Sequence, residues 1–238
     1  MLNCLSKLFK GKPKKQRENL KPPYNILDEQ YITQHCKKAA PFIPSEEIND
    51  HYAYLWDTMK IQVLPSQTLG DLSWVTVFIS NRSDWYKEVA AYVYSITQRR
   101  VPWEVIAVLH NKEGGSKKER QILNGQKWSQ MTTMIPAGLG PWESFEESCA
   151  YAFATRDLPE VWTIENTLYF LEAWNGFGYS LYHRESVGET PYLWSFSQHY
   201  KGGLYVSDGK FDKRAIAKSI GAAVMLSNLG YNGDSRLC

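Results

Sequence analysis

The chain has 238 residues, 43% of them hydrophobic, 22% charged and 14% aromatic, which suits one folded domain with or without an appendage and argues against disorder over most of the length. With 16 glycines and 11 prolines it is neither collagen-like nor low-complexity, and no run approaches the roughly 18 apolar residues that a spanning helix needs. Residues 1–22 hold seven Lys/Arg (Lys7, Lys10, Lys12, Lys14, Lys15, Arg17, Lys21) against Glu18; that net +6, set against +2 for the whole chain, leaves −4 for residues 23–238, so the body is not a basic nucleic-acid binder.

In chain order, residues 1–24 end in Lys21-Pro22-Pro23-Tyr24 and read as a flexible basic arm and linker. The arm reads first as a solvated tail and second as a contact for an anionic surface. It lacks the apolar core and cleavage site of a secretory signal, so ordinary export is not expected. The globular pattern begins near Asn25, which assigns 25–238 to one domain. Ser45 before Glu46 and Glu47 marks a helix start, and Ile48, Tyr52, Leu55, Trp56 and Met59 follow at helical spacing. The run WVTVFI at 74–79 fits either a buried strand or part of a buried helix. Ser83 opens a helix with Trp85, Val89, Tyr92, Val93 and Ile96 on one face. Pro102 opens another, apolar on nearly every side, that runs to His110-Asn111-Lys112-Glu113 and stops at Gly114-Gly115.

Residues 116–140 are polar and read as a loop or small hairpin region, with one short strand at Met131–Ile135. Helices are expected at 142–154, at 163–174 behind the cap Thr163, and at 212–229 with Gly230 as its stop. Asp208-Gly209 between apolar runs signals a hairpin. The cysteines Cys4, Cys36, Cys149 and Cys238 are scattered, without zinc or disulfide spacing. The fold class is thus α+β and predominantly helical, with a buried central helix and a small hairpin region behind a basic arm.

Glu113 carries the strongest chemical signal. A carboxyl group at the edge of an apolar core has its charged form disfavoured, and a general acid working at neutral pH needs that property. The alternative for Glu113 is a cap of the helix end or a pair with Lys112 or Lys117. His110, one turn earlier, is counted with the substrate-binding residues against a structural, hydrogen-bonded alternative. A His-x-x-Glu step supplies only two ligands, so no metal and no cofactor are expected. Tyr192, Trp194, His199 and Tyr200 alternate with Ser195, Ser197 and Gln198. That mixture is read as a sugar groove, where rings pack on sugar C–H faces beside hydrogen-bonding groups.

Seven ordered blocks then carry a resemblance. They are Tyr54-Leu55-Trp56-Asp57-Thr58-Met59, Val101-Pro102-Trp103 through Lys112-Glu113, Leu123-Asn124-Gly125, Ile135-Pro136-Ala137-Gly138, Leu171-Glu172-Ala173-Trp174-Asn175-Gly176-Phe177-Gly178-Tyr179, Pro191-Tyr192-Leu193-Trp194-Ser195 with Gln198-His199-Tyr200, and Tyr205-Val206-Ser207-Asp208-Gly209. From about Tyr54 to Leu229 the chain resembles the bacterial and phage "lysozyme family protein" group of the lysozyme-like superfamily, in the company of goose-type lysozymes and lytic transglycosylases. The resemblance implies a lysozyme-like domain that cuts the β-1,4 bond between N-acetylmuramic acid and N-acetylglucosamine in peptidoglycan. It makes Glu113 the general acid and Asn175 a substrate contact.

Where that group has Asp, this chain has Gln126, and Gly114-Gly115 replace Ala-Ser or Ser-Ser, so no second carboxylate is assigned. Thr132, or its neighbour Thr133, is placed to orient a water, and Thr132 is taken as the catalytic partner. The alternatives are a transglycosylase giving 1,6-anhydro ends, and a non-catalytic peptidoglycan-binding part of a phage particle. The expected partner is the glycan strand, and the expected location is the cytoplasm until release, or the virion.

Overall fold

The computed structural model describes residues 44–207 and 209–233. The expected arm at 1–24, Cys4, Cys36, Cys238 and Asp208 lie outside them. The described chain is predominantly helical with one two-stranded sheet, an α+β composition, and it divides into two compact units, residues 84–158 and residues 44–83 with 159–233. No helix among the described residues is long and apolar enough to cross a membrane. The helices are α1 (Glu46–Thr58), α2 (Leu69–Ser80), α3 (Ser83–Thr97), α4 (Trp103–Gly114), α5 (Phe145–Ala154), α6 (Ile164–Asn175), the short α7 (Gly178–Tyr182), α8 (Arg184–Val187) and α9 (Pro191–Trp194), and α10 (Ala222–Asn228). The strands β1 (Leu204–Ser207) and β2 (Lys210–Asp212) precede α10.

The unit at 84–158 is built around α4. Every residue from Val105 to His110 is buried, as a helix apolar all round requires. Pro102 serves as its N-cap rather than its first residue, so the helix starts one residue later than expected, at Trp103. From α3, Tyr86, Val89, Val93 and Ile96 are buried, while Trp85 and Tyr92 are only half-buried. Tyr86 takes the central place because its hydroxyl finds a partner inside, at His110 Nδ1, 2.9 Å away. Ser144 caps α5 by accepting from Glu147 N, so this helix starts at Phe145 and not at 142. The Arg99 guanidinium donates to Arg156 O and Leu158 O and ties α3 to the chain leaving α5.

In the other unit, Ser45 caps α1 as expected, and Tyr52 and Leu55 are buried. The ambiguous run 74–79 is helical. Thr68 accepts from Asp71 N and donates to Asp71 Oδ2, a reciprocal cap that starts α2 before the β-branched residues begin. Only Leu72 and Ile79 of α2 are buried. Thr163 caps α6, and Tyr231 OH ties the end of the described chain to it through Thr167 Oγ1 and Trp162 O. The expected hairpin forms: β1 and β2 pair antiparallel, Leu204 opposite Asp212, with Gly209 at φ +68°. α10 stops at Gly230, φ +76°, as expected.

Two elements differ from expectation. Residues 213–221, expected to be helical, are not. Ala217 there donates its N–H to Tyr200 OH and accepts from Gln67 Nε2 at 2.7 Å, and Gly203 N takes Ala215 O. Side chains and distant backbone thus claim the groups a helix would pair internally. Gly221 sits so close that a Cβ would lie 2.2 Å from Leu193 O. The strand expected at Met131–Ile135 is also absent, and between 116 and 140 the described chain makes a single isolated bridge, Arg120 to Lys127.

Glu172, on α6, is a deeply buried carboxyl group, 3% exposed. It accepts from Tyr52 OH at 2.6 Å and from Ser180 Oγ, which joins α1, α6 and α7. Burial raises its pKa above the ordinary carboxylate value; nearby Glu189 adds to this, while the two hydroxyl donors and His51 oppose it. The folded state therefore holds the Glu172 proton more tightly than the unfolded chain does. The stability this contributes is complete below the unfolded carboxylate pKa and is lost as pH rises through the folded one. Glu172→Gln is expected to flatten that decline. Urea midpoints of both proteins from mildly acidic to neutral pH test it, and parallel curves would refute it.

Candidate active site

The last turn of α4 and the loop that follows it form one assembly. Gly115, at φ +60°, ends the helix by donating to Asn111 O, and Ser116 N reaches back to His110 O. The His110 ring then fixes the exit of the chain. Its Nε2–H donates to Lys117 O at 2.9 Å, and its Nδ1 accepts from Tyr86 OH. His110 is fully buried against Phe145 and Trp85. The expectation that His110 touches substrate is therefore corrected: both ring nitrogens serve the fold.

Glu113 is half-buried on that same turn, where the helix dipole works against its negative charge. Lys112 beside it has its ammonium held down to about 8 by burial, against the upward pull of Glu113. It is still mostly cationic at neutral pH. Gly125 packs on the Glu113 backbone so tightly that a Cβ would lie 2.2 Å from Glu113 O, and its φ of +73° independently favours glycine. Arg120 Nη1 donates to Gly125 O and holds the turn there. Gly125→Ala is expected to lower the unfolding midpoint and displace the Glu113 turn, at a cost of about 1–3 kcal/mol for the backbone conformation alone. An unchanged midpoint would show that the turn is not needed.

Side-chain amides, together with scattered backbone bonds such as Thr132 N to Leu139 O, shape the rest of the loop. Gln126 Oε1 accepts from Thr133 N and Met134 N, and its Nε2 donates to Thr133 Oγ1, each at 2.9 Å. Asn124 Nδ2 donates to Met134 O and Pro136 O. Thr132 Oγ1 donates to Pro136 O at 2.7 Å and accepts from Leu139 N at 2.9 Å, and the residue is 2% exposed. The catalytic assignment of Thr132 is thus corrected, because its hydroxyl is spent inside the loop. The exposed member of the pair is Thr133, whose Oγ1 accepts from Gln126 and keeps its own proton. Gln126, in the sequence a departure from Asp, orders the loop through these bonds, and its place directly after Asn124-Gly125 is the signal for that role. The loop from 115 to 141 contains one acidic residue, Glu119, and that residue is exposed.

The remaining expected site residues belong to the other unit. Asn175 is exposed at the last position of α6. Tyr192, Trp194 and Tyr200 are buried, Trp194 completely, so the groove expectation for these three rings is corrected. Their polar neighbours face inward as well: Ser195 Oγ accepts from Gln67 Nε2, Ser197 Oγ donates to Trp194 O, and Tyr200 OH donates to Gly203 O. His199 is half-buried and donates from Nε2 to Leu55 O; burial lowers its pKa and favours the neutral ring. No group of three or more His, Cys, Asp or Glu among the described residues is arranged to hold a metal ion. No family model matches the chain, and neither a curated protein nor a solved structure matches it.

Proposed function

We propose that the chain is a peptidoglycan glycosidase of the lysozyme-like kind, cutting the β-1,4 bond between N-acetylmuramic acid and N-acetylglucosamine with Glu113 as general acid. The observation that carries this reading is the setting of Glu113. A half-buried carboxyl group ends the buried central helix, with the Asn124-Gly125 turn packed on its backbone. These two sequence blocks are among those that carry the resemblance. In the reaction Glu113 gives its proton to the glycosidic oxygen as the bond to the anomeric carbon breaks, and a water adds to that carbon and loses its extra proton to solvent, from which Glu113 is reprotonated. The Thr133 hydroxyl, oriented by Gln126, is the group on the loop suited to hold that water.

A second reading, the lytic transglycosylase, is favoured by one observation. The position where the resemblance leads one to expect Asp is Gln126, and its amide is committed to Thr133 and Met134. An inverting hydrolase needs a second carboxylate some 6.5–9.5 Å from the acid, whereas attack by the substrate's own 6-hydroxyl does not. Peptidoglycan strands are the partner in both readings, and no cofactor takes part. On either, the chain meets the wall after release from a cell or as part of a phage particle. Mass spectrometry of muropeptides from purified walls decides: reducing ends support the hydrolase, 1,6-anhydro ends the transglycosylase, and absence of soluble product refutes both.

A further inference from the structure

In the unit formed by residues 44–83 and 159–233, three side chains meet in a triangle: His51 of α1, Arg184 of α8 and Glu189. Arg184 Nη2 lies 2.7 Å from His51 Nε2 and 3.2 Å from Glu189 Oε1, and Nε2 lies 3.3 Å from that same oxygen. A guanidinium nitrogen only donates, so its short contact with Nε2 needs a ring that is unprotonated there. Nη2 carries two protons and gives one to each partner, which makes Arg184 the bridge between imidazole and carboxylate. The contact between Nε2 and Oε1 becomes a hydrogen bond only when Nε2 carries a proton, and Nε2 then has no lone pair left for Arg184. The triangle therefore holds two exclusive patterns, and a single proton selects between them. Histidine is the side chain suited to exchange that proton between about pH 5 and 8.

Two corners are fixed and the third is free to leave. His51 is half-buried on α1, beside the buried Tyr52. The Glu189 side chain is 17% exposed, and its segment is pinned. Glu189 N donates to His199 O, Lys201 N donates to Val187 O, and a Cβ on Gly188 would lie 2.4 Å from His199 O. The Arg184 side chain is 53% exposed, on a helix of four residues. Other ionisable groups face the triangle. Glu172 of α6 and His199, after α9, interact electrostatically with both Glu189 and His51, and Tyr52 interacts with Glu189 and with Tyr169 of α6. His183, before Arg184, is bonded to Tyr205 OH. Glu47, one turn before His51, and Glu185 and Lys201 are exposed. We propose that His51 is a proton-operated latch. When neutral, the ring is joined to Glu189 through Arg184; when protonated by solvent, it pairs with Glu189 directly and releases Arg184, which loosens α8. This goes beyond the glycosidase reading and does not depend on it.

The test follows the full chain by NMR from about pH 8 to about pH 5. Ring-nitrogen shifts read the protonation of His51, and guanidinium shifts read Arg184. Hydrogen exchange of Val187 N–H and Gly188 N–H, which donate to His183 O and Arg184 O, reads α8. With the intrinsic pH dependence of exchange subtracted, both α8 amides should lose protection on acidification. The Arg184 signal should shift, and both changes should share the midpoint of the His51 ring. His51→Phe should abolish them while His199 still titrates. If that variant melts early, His51→Gln replaces it: its amide accepts and donates at once, so Arg184 should stay bound at every pH. Arg184 and α8 signals that ignore the His51 midpoint overturn the proposal, as does a transition that survives the substitution at 51. A midpoint that follows Glu172 or His199 instead would assign the transition to that group and overturn it equally.

Discussion

Glu113→Gln is expected to reduce lysis of purified cell walls by about 10²–10⁴-fold, the range a positioned general acid contributes, which is roughly 3–5 kcal/mol of activation free energy. The substitution keeps the volume and the hydrogen-bonding reach of the side chain but removes the transferable proton. Folding should not suffer, because Glu113 is half-buried at a helix end and α4 is held by its buried residues from Val105 to His110. Lys112 would lose its charged neighbour, and its ammonium would titrate lower still, since the pull of Glu113 is upward. The measurements are wall turbidity with time and the urea midpoint. Near wild-type lysis with an intact midpoint would remove Glu113 from the mechanism and with it the proposed function.

Trp194→Ala is expected to cost about 3–5 kcal/mol of stability, the usual range for emptying a buried indole site. Trp194 is fully buried in α9, whose four residues are all buried. Its ring meets His199 edge-to-face at 5.2 Å. Its Nε1–H is buried and finds no acceptor among the described residues, so the site depends on ring volume rather than on a hydrogen bond. Trp194→Phe should therefore recover most of the loss, leaving a smaller packing deficit. Urea unfolding of the three proteins, with binding to soluble glycan fragments alongside, separates core from groove. A small shift for the alanine variant with weakened glycan binding would restore the groove assignment.

What the sequence determined by itself is governed by local chemistry. Ser45 and Thr163 announce α1 and α6 because a cap needs only one side-chain oxygen and the next turn of backbone. Gly115 and Gly230 end α4 and α10, and Gly209 turns the hairpin, because these positions take positive φ. The burial of α4 was legible from its unbroken apolar run, and so was the position of Glu113 at its end.

Tertiary structure decided the rest. Ile216, Ile220 and Val224 repeat at helical spacing, yet residues 213–221 stay non-helical because Gln67 and Tyr200, distant in sequence, take the backbone groups of Ala217. Met131–Ile135 forms no strand because its backbone groups go to scattered partners: Thr132 N and O pair with Leu139 O and Gly138 N, while the amides of Gln126 and Asn124 take Thr133 N, Met134 N and Met134 O. The rings of Tyr192, Trp194 and Tyr200 read as a groove because serines separate them, but those serines spend their hydroxyls inside the same core. A one-dimensional pattern states whether a residue is polar. Only the folded chain states which distant partner satisfies that polarity, and so whether the residue faces water or the interior.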